Sequence, residues 1–464
     1  MKVLLSHGYF LHDHKDDLKI MKPYPLLGIL YLSAYLKKNN LEHHVFDTTF
    51  SSKEELLAYV LNEKPDIIGF YVNLLTKPNI LDIIVNIRSH EDLSKTVIVL
   101  GGPDVTYNTE GYLSFGADFL VIGEGEISFY ELVKAIEGDT DFSEVHGIAY
   151  KNGNGEIVRT LAPHRIDYFD KLNWPNREAV DFKIYLEAWK NHHGYTSLNV
   201  STQRGCPYSC KWCSQGVFGH RLIKRPVKDV IDEVEFLYKT YQVQSIRFVE
   251  DLFTLDQEWI KAFCEALSER KISISFECTT RAETLNEAMI LMLKEAGCRE
   301  IWIAAESGSQ QVVDNMNTKV EIKKIITTLQ LIKKIGIKTG TFIIIGYPGE
   351  TLGDIFKTMQ FLREAAPDYT AFSLAYPIKG TDFYTEVESD IEKSSPWPLS
   401  TDIDIRFKQI YSRKFYKYAL AWLRNETISK SKMMAGLHRF YFRLKSMAAF
   451  ILMNLEALRP SNLN

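Results

Sequence analysis

The residues best equipped for chemistry lie in Thr202-Gln-Arg-Gly-Cys206-Pro-Tyr-Ser-Cys210-Lys-Trp-Cys213, a C-x3-C-x2-C run that holds three of the six cysteines in 464 residues. Thiolates are soft ligands that suit zinc or an iron–sulfur cluster, and a closed site of either kind takes four protein ligands. Three leave one position open. On a [4Fe–4S] cluster that position is an iron able to bind a small molecule directly, as a catalytic cluster requires. A zinc knuckle or a set of buried thiols is the plainer reading, but no Cys or His pair follows at finger spacing. Cys264 on a helix, Cys278 at a strand end and Cys298 in a turn share no paired spacing and read as buried or incidental thiols.

Two series of β-α units flank and carry this stretch. Strand-length apolar runs at 2–6, 44–47, 67–71, 96–100 and 119–122 alternate with helical patterns at 26–38, 53–61, 79–89 and 127–136. That rhythm predicts a Rossmann-like, doubly wound parallel sheet over residues 1–142. Its strand-end loops include Gly101-Gly102-Pro103 and Gly123-Glu124-Gly125-Glu126, whose glycines let backbone approach a bulky ligand. From 143 to 196 the period loosens into a linker with a hairpin turn at Lys151-Asn-Gly-Asn-Gly-Glu156. Trp174, His192, His193 and Tyr195 in it read as packing or surface residues before substrate contacts. Strands at 198–202, 245–249, 274–278, 300–304, 339–345 and 369–374 then alternate with helices at 227–241, 257–270, 286–296, 322–335 and 352–365. Six such units over 197–385 predict an open (βα)6 partial TIM-type barrel, with chemistry on the loops after its strands.

With Trp212 just before its last cysteine, the C-x3-C-x2-C run resembles the cluster motif of the radical S-adenosylmethionine (SAM) superfamily. The resemblance implies that Cys206, Cys210 and Cys213 hold a [4Fe–4S] cluster whose unique iron chelates SAM, and that one electron cleaves SAM to a 5′-deoxyadenosyl radical. It also gives roles to the later loops. Glu250 and Asp251 stand where the superfamily contacts the SAM amino group, a role for a fixed hydrogen-bond acceptor. Arg281 could pair with the SAM carboxylate through its planar fork. Glu306-Ser307-Gly308 resembles the ribose segment, and Gly346-Tyr-Pro-Gly349-Glu350-Thr351 the loop behind the adenine. Each alone has a structural counterpart, a helix start or an ion pair at a barrel rim.

In the first domain, Pro25-Leu-Leu-Gly28, Gly101-Gly102-Pro103 and Gly123-Glu124-Gly125-Glu126 resemble in order the cobalamin-binding domain fused to one large radical SAM class. That class includes the anaerobic magnesium-protoporphyrin ester cyclase and many carbon and phosphorus methyltransferases. The D-x-H-x-x-G signature is missing, and His12-Asp13-His14 is wrongly spaced for it, so no histidine ligand to cobalt is expected from this loop. A degenerate Rossmann-like domain kept for packing or substrate binding is the plainer alternative.

A net charge of -4 argues against a dedicated nucleic-acid binder, and no signal peptide or membrane-spanning run is legible, so a reduced, cytoplasmic setting is expected. The last region, 386–464, reads as a helical extension. Its segment 405–464 holds twelve Lys or Arg against two Glu. Capping of the barrel is the first expectation; peripheral contact with an anionic membrane and binding of an anionic substrate stay open. The resemblance implies an electron donor such as flavodoxin or ferredoxin, and a small-molecule or lipid-like substrate methylated at an unactivated carbon. The alternatives are radical cyclisation, rearrangement or oxidation, and, from another class, a cobalamin- or redox-sensing protein without turnover. A sensor has no need of the SAM loops, and a methylthiotransferase would carry a second cysteine trio.

Overall fold

The computed structural model describes residues 1–138, 140–166, 173–392, 396–430 and 436–459. Its first sheet runs β2-β1-β3-β4-β5-β6-β7, from β1 (Val3–His7), β2 (His44–Phe46), β3 (Ile67–Tyr71), β4 (Val97–Gly101), β5 (Phe119–Val121), β6 (Ile148–Lys151) and β7 (Ile157–Arg159). The first five are parallel, and β6 and β7 add antiparallel at one edge. Strand order reverses between β1 and β3, so the ligand crevice of this doubly wound sheet lies at their carboxyl ends. The central strands are buried on both faces, which is why they read as unbroken apolar runs.

The second sheet is parallel throughout and ordered β15-β14-β13-β12-β11-β8: β8 (Ser197–Val200), β11 (Ser245–Phe248), β12 (Ser275–Thr280), β13 (Cys298–Glu306), β14 (Lys338–Ile345) and β15 (Tyr369–Leu374). Six strands in chain order curl into the half-barrel that the rhythm predicts. Between β8 and the first barrel helix, Val227–Tyr241, a two-stranded antiparallel ribbon of β9 (Gln203–Arg204) and β10 (Ile223–Lys224) closes the base of the cysteine loop. Gly205 turns out of it at φ 81°, and a Cβ there would run into the Arg221 carbonyl. Only glycine lets the ribbon close.

The segment read as an aperiodic linker contains a helix, Phe182–His193, capped by the Asp181 side chain and ended by Gly194 in the left-handed region. Its Phe182, Tyr185 and Trp189 are buried, and the Trp189 indole donates to the Pro23 carbonyl at 2.8 Å. Trp174 donates to Asp229, and the Tyr195 hydroxyl accepts from Arg299, so both are packing residues. Cys298 opens β13 where the sequence suggested a turn; with Cys264 and Cys278 it is buried.

Helix Arg413–Lys430 buries Phe415, Tyr416, Trp422 and Leu423 in the barrel core, which makes it the expected cap. Helix Gly436–Ala457 packs on it through Phe450 against Trp422, ring centroids 5.1 Å apart. Among the described residues no helix is long and apolar enough to cross a membrane.

Candidate functional site

The cysteine loop is fixed to the barrel from two sides. Lys211 donates its N–H to the Met316 carbonyl at 3.0 Å and accepts at its own carbonyl from Phe383, while Asn317 donates to Ser209. The Cys213 N–H to Cys210 carbonyl bond, 3.1 Å, tightens the turn between the last two thiols. All three thiols are half-buried, and burial pushes each upward, Cys213 to about 12 with Asp251 and the other two thiols adding to the effect. Among the described residues no three His, Cys, Asp or Glu side chains gather closely enough for a single metal ion.

Carboxylates stand on three strand-end loops of the barrel, and those of Asp251 and Glu306 lie near enough to act on the thiols. Glu250, after β11, is buried and accepts from the N–H of Thr202 and of Gln203, but its Oε2 has no hydrogen-bond partner among the described residues. Burial raises it to about 7 despite those bonds. Glu306 ends β13 at φ 63°, a conformation few non-glycine residues adopt, next to a register shift in the strand. Burial and then the Asp251 charge push it to about 8, and its Oε2 is likewise unpartnered. Glu350 accepts from the Gly346 N–H at 2.5 Å, keeps Oε1 without a partner, and is raised to about 8 by burial. Gly346 and Gly349 hold that loop at φ 87° and 81°. Buried acceptors without partners are costly, so such a set calls for a ligand that brings cationic and hydroxyl donors. The ammonium and ribose hydroxyls of SAM are of that kind.

The remaining expected residues are placed less openly. The Ser307 hydroxyl sits 3.1 Å from that of Thr358, facing the helix Leu352–Ala365. Arg281 lies 4.0 Å over the Tyr208 ring and donates to the Thr318 carbonyl at 2.7 Å. Trp212 packs against the cluster of Val312, Met316 and Tyr347, its indole N–H buried without a partner among the described residues.

A cavity of about 500 Å³ joins this loop to the first sheet. Cys206, Cys213, Glu250 and Asp251 line one end, and Gly28, Gly101, Gly102, Pro103 and the loop 123–126 line the other. Space is open around Gly28: a Cβ there would meet nothing within 4 Å, and at Gly101 the nearest atom would be 3.8 Å away. At Gly102, φ 118°, a Cβ would instead strike the Val72 carbonyl. The walls are mostly apolar, and no histidine is among the described lining residues. A wide, glycine-floored cradle of this kind fits a corrin better than a small metabolite.

Glu124 and Glu126 turn to a residue the sequence reading passed over. Arg204 pairs with Glu124 at 2.9 Å and Glu126 at 2.5 Å, between the rings of Tyr31 and Phe218. It lies directly before Gly205-Cys206, and so ties the cysteine loop to the glycine loop of the other sheet.

A family model described as the radical SAM superfamily matches residues 200–362, and one described as a B12 binding domain matches 18–133. An uncharacterized methyltransferase of Pyrococcus horikoshii is 26% identical over 445 residues, covering 90% of this chain and 94% of that protein. The anaerobic magnesium-protoporphyrin IX monomethyl ester cyclase of Rubrivivax gelatinosus is 26% identical over 408 residues, covering 84% and 71%. Among solved structures, the cobalamin-dependent SAM radical enzyme OxsB with aqua-cobalamin bound superposes with a TM-score of 0.76 at 18% identity, covering 99% of this chain and 74% of that one. The chain is a radical SAM enzyme with a B12-binding domain, and its cofactors are a [4Fe–4S] cluster, SAM and cobalamin.

Proposed function

We propose that the enzyme is a cobalamin-dependent radical SAM methyltransferase that methylates a carbon of a small-molecule or lipid-like substrate, with a flavodoxin or ferredoxin as electron donor. The observation that carries this is the shared cavity: the cysteine loop and the glycine cradle open into one mostly apolar space. Two reactive groups held across one enclosed space can act on the same substrate carbon with water excluded. The name of the Pyrococcus relative supports the same reading.

When bound, the cluster supplies the electron that cleaves SAM, and cobalamin carries the methyl group. The chain's share is binding, orientation and dryness. Cys206, Cys210 and Cys213 are assigned three cluster irons, leaving the fourth for SAM. Glu250 and Asp251 take the ammonium, Glu306 the ribose hydroxyls, and Gly346, Gly349 and Glu350 the adenine edge. Trp212, Ser307 and Arg281 shape the loop around them, with Arg281 on Tyr208 keeping a positive charge beside the SAM carboxylate. Gly28, Gly101, Gly102, Pro103 and 123–126 form the corrin cradle. We divide the chain into a cobalamin domain at 1–142, a crossing segment at 143–196, the radical SAM core at 197–385 and the helical region at 386–464.

The cyclase relative, 26% identical as well, favours a second reading in which the same machinery cyclises or oxidises without methyl transfer. The experiment is anaerobic reconstitution with hydroxocobalamin, gel filtration, then reduction with CD3-labelled SAM. About one cobalt and about four irons per chain, with label on the cobalamin, support methylation. Both metals retained without label transfer would overturn methylation in favour of the second reading.

A further inference from the structure

The helix Gly436–Ala457 turns one side to the protein and leaves the other bare. Ser446, Ala449, Met453 and Glu456 are its buried residues. On the opposite side Leu437, Phe440, Leu444, Met447, Ile451 and Leu455 are 49% to 85% exposed. They are spaced three or four residues apart over five turns, which makes them one continuous apolar stripe along a helix about 33 Å long. Single exposed leucines are ordinary, but a stripe of this length marks a contact surface.

The charges around the stripe select what it contacts. At about 100° of turn per residue, Arg443 falls on one shoulder of the stripe and Lys445 on the other, with Arg439 and His438 beyond them towards the buried side at the first turn of the helix. All four are exposed. The single acid among residues 436–459 is Glu456, on the buried side, bonded to Arg459 at 2.6 Å and to Ser412 at 3.0 Å. Laying this stripe against a second copy of itself would set basic shoulder against basic shoulder with no acid between them. An anionic bilayer answers both features, with acyl chains under the stripe and negative headgroups along its shoulders.

We propose that this helix is a peripheral membrane-docking surface, lying in the plane of an anionic lipid leaflet with the stripe 437–455 inserted between headgroups. It goes beyond the reaction proposed above and does not depend on it. The helix neither spans nor anchors; its grip combines burial of the stripe with charge attraction, so it is reversible and salt-sensitive.

The test is flotation of the cofactor-loaded full chain, without oxygen, with vesicles of one part phosphatidylglycerol to three parts phosphatidylcholine and with phosphatidylcholine alone. The protein is expected to float with the anionic vesicles, less so at raised salt, and poorly with the neutral ones. Leu444→Glu with Ile451→Glu should weaken partitioning on the order of a hundredfold, about tenfold for each apolar side chain withdrawn. Arg439→Gln, Arg443→Gln and Lys445→Gln together should erase the preference for anionic lipid; these exposed changes leave the apolar side untouched if the glutamates misfold the helix. No flotation of the wild-type protein with either vesicle overturns the proposal. So does a wild-type dimer, seen by light scattering, that the double glutamate variant splits while neither protein binds lipid.

Discussion

Replacing Arg204 with methionine isolates the link between the two cofactor loops. The guanidinium is 6% exposed and holds two carboxylates, Glu124 at 12% and Glu126 at 7% exposure. Methionine keeps apolar contact with Tyr31 and Phe218 but leaves both carboxylates without their cation. Removing one side of a buried ion pair costs about 3–5 kcal/mol. The lower figure applies here, because Glu124 also accepts from the Ile166 N–H at 3.3 Å and is the more exposed of the two. About 3 kcal/mol is a factor of roughly a hundred. That loss falls on the closed arrangement of loop 123–126, so the dissociation constant for hydroxocobalamin, measured by equilibrium dialysis, should rise by that order. Arg204→Lys, with charge but no fork, should fall between. Adding Glu124→Gln and Glu126→Gln to the methionine variant should recover most of its lost thermal stability, since neutral amides need no counter-charge. A methionine variant that binds cobalamin within about threefold of wild type and melts at the same temperature would refute the reasoning.

Gly28→Leu should fill the cradle. A side chain there meets open space, and leucine is the better helix former, so melting should hold or rise while cobalamin affinity drops at least about tenfold; unchanged affinity in dialysis would remove Gly28 from the cradle. Glu233, fully buried between Arg177 at 2.7 Å and Arg225 at 2.6 Å, is pushed up by burial and pulled down further by the two guanidinium charges, ending below its ordinary 4.5. Its stabilising effect is therefore complete above about pH 4.5 and lost as pH falls through the lower folded value. Glu233→Gln should cost about 3–5 kcal/mol near neutral pH and flatten this part of the acid unfolding curve, as followed by circular dichroism.

What the sequence showed and hid follows from the range of the interactions. Strand β3 matches its sequence-predicted bounds because a strand buried between helix layers reads as an unbroken apolar run; β15, a half-buried edge strand, matches through its place in the repeating strand-helix rhythm. Glu250 and Glu306 could be assigned to the rim that carries the cysteine loop because one lies two residues past the end of β11 and the other ends β13, and the barrel gathers strand ends. Arg204 could not be paired in advance: its partners lie about 80 residues upstream in another sheet, and no local period encodes a meeting between domains. Ser307 and Arg281 show the converse. Both stand on strand-end loops, where the sequence places ligand contacts, yet side-chain direction gives Ser307 to Thr358 and lays Arg281 on Tyr208. The helix Phe182–His193 was readable, with Phe182, Tyr185 and Trp189 at helical spacing and a capping Asp181, but polar Lys183, Glu187, Lys190 and Asn191 between them diluted the pattern.

Six strands do not close a barrel, and the two raw edges are finished by borrowed material. At β8, Tyr24 meets Ser197 at 3.0 Å and Asn199 donates to the Pro25 carbonyl, both from the first domain. Beside β14 and β15, Gln409 donates to the Gly346 carbonyl, and Tyr416 and Trp422 pack into the core from the helical extension. A closed eight-stranded barrel admits a different molecule by varying the loops after its strands. Here the side walls can be recut by insertion, deletion or exchange of flanking segments while the cysteine loop and its carboxylates stay as they are. Diversification of such an enzyme is a matter of its margins, with the reactive centre inherited whole.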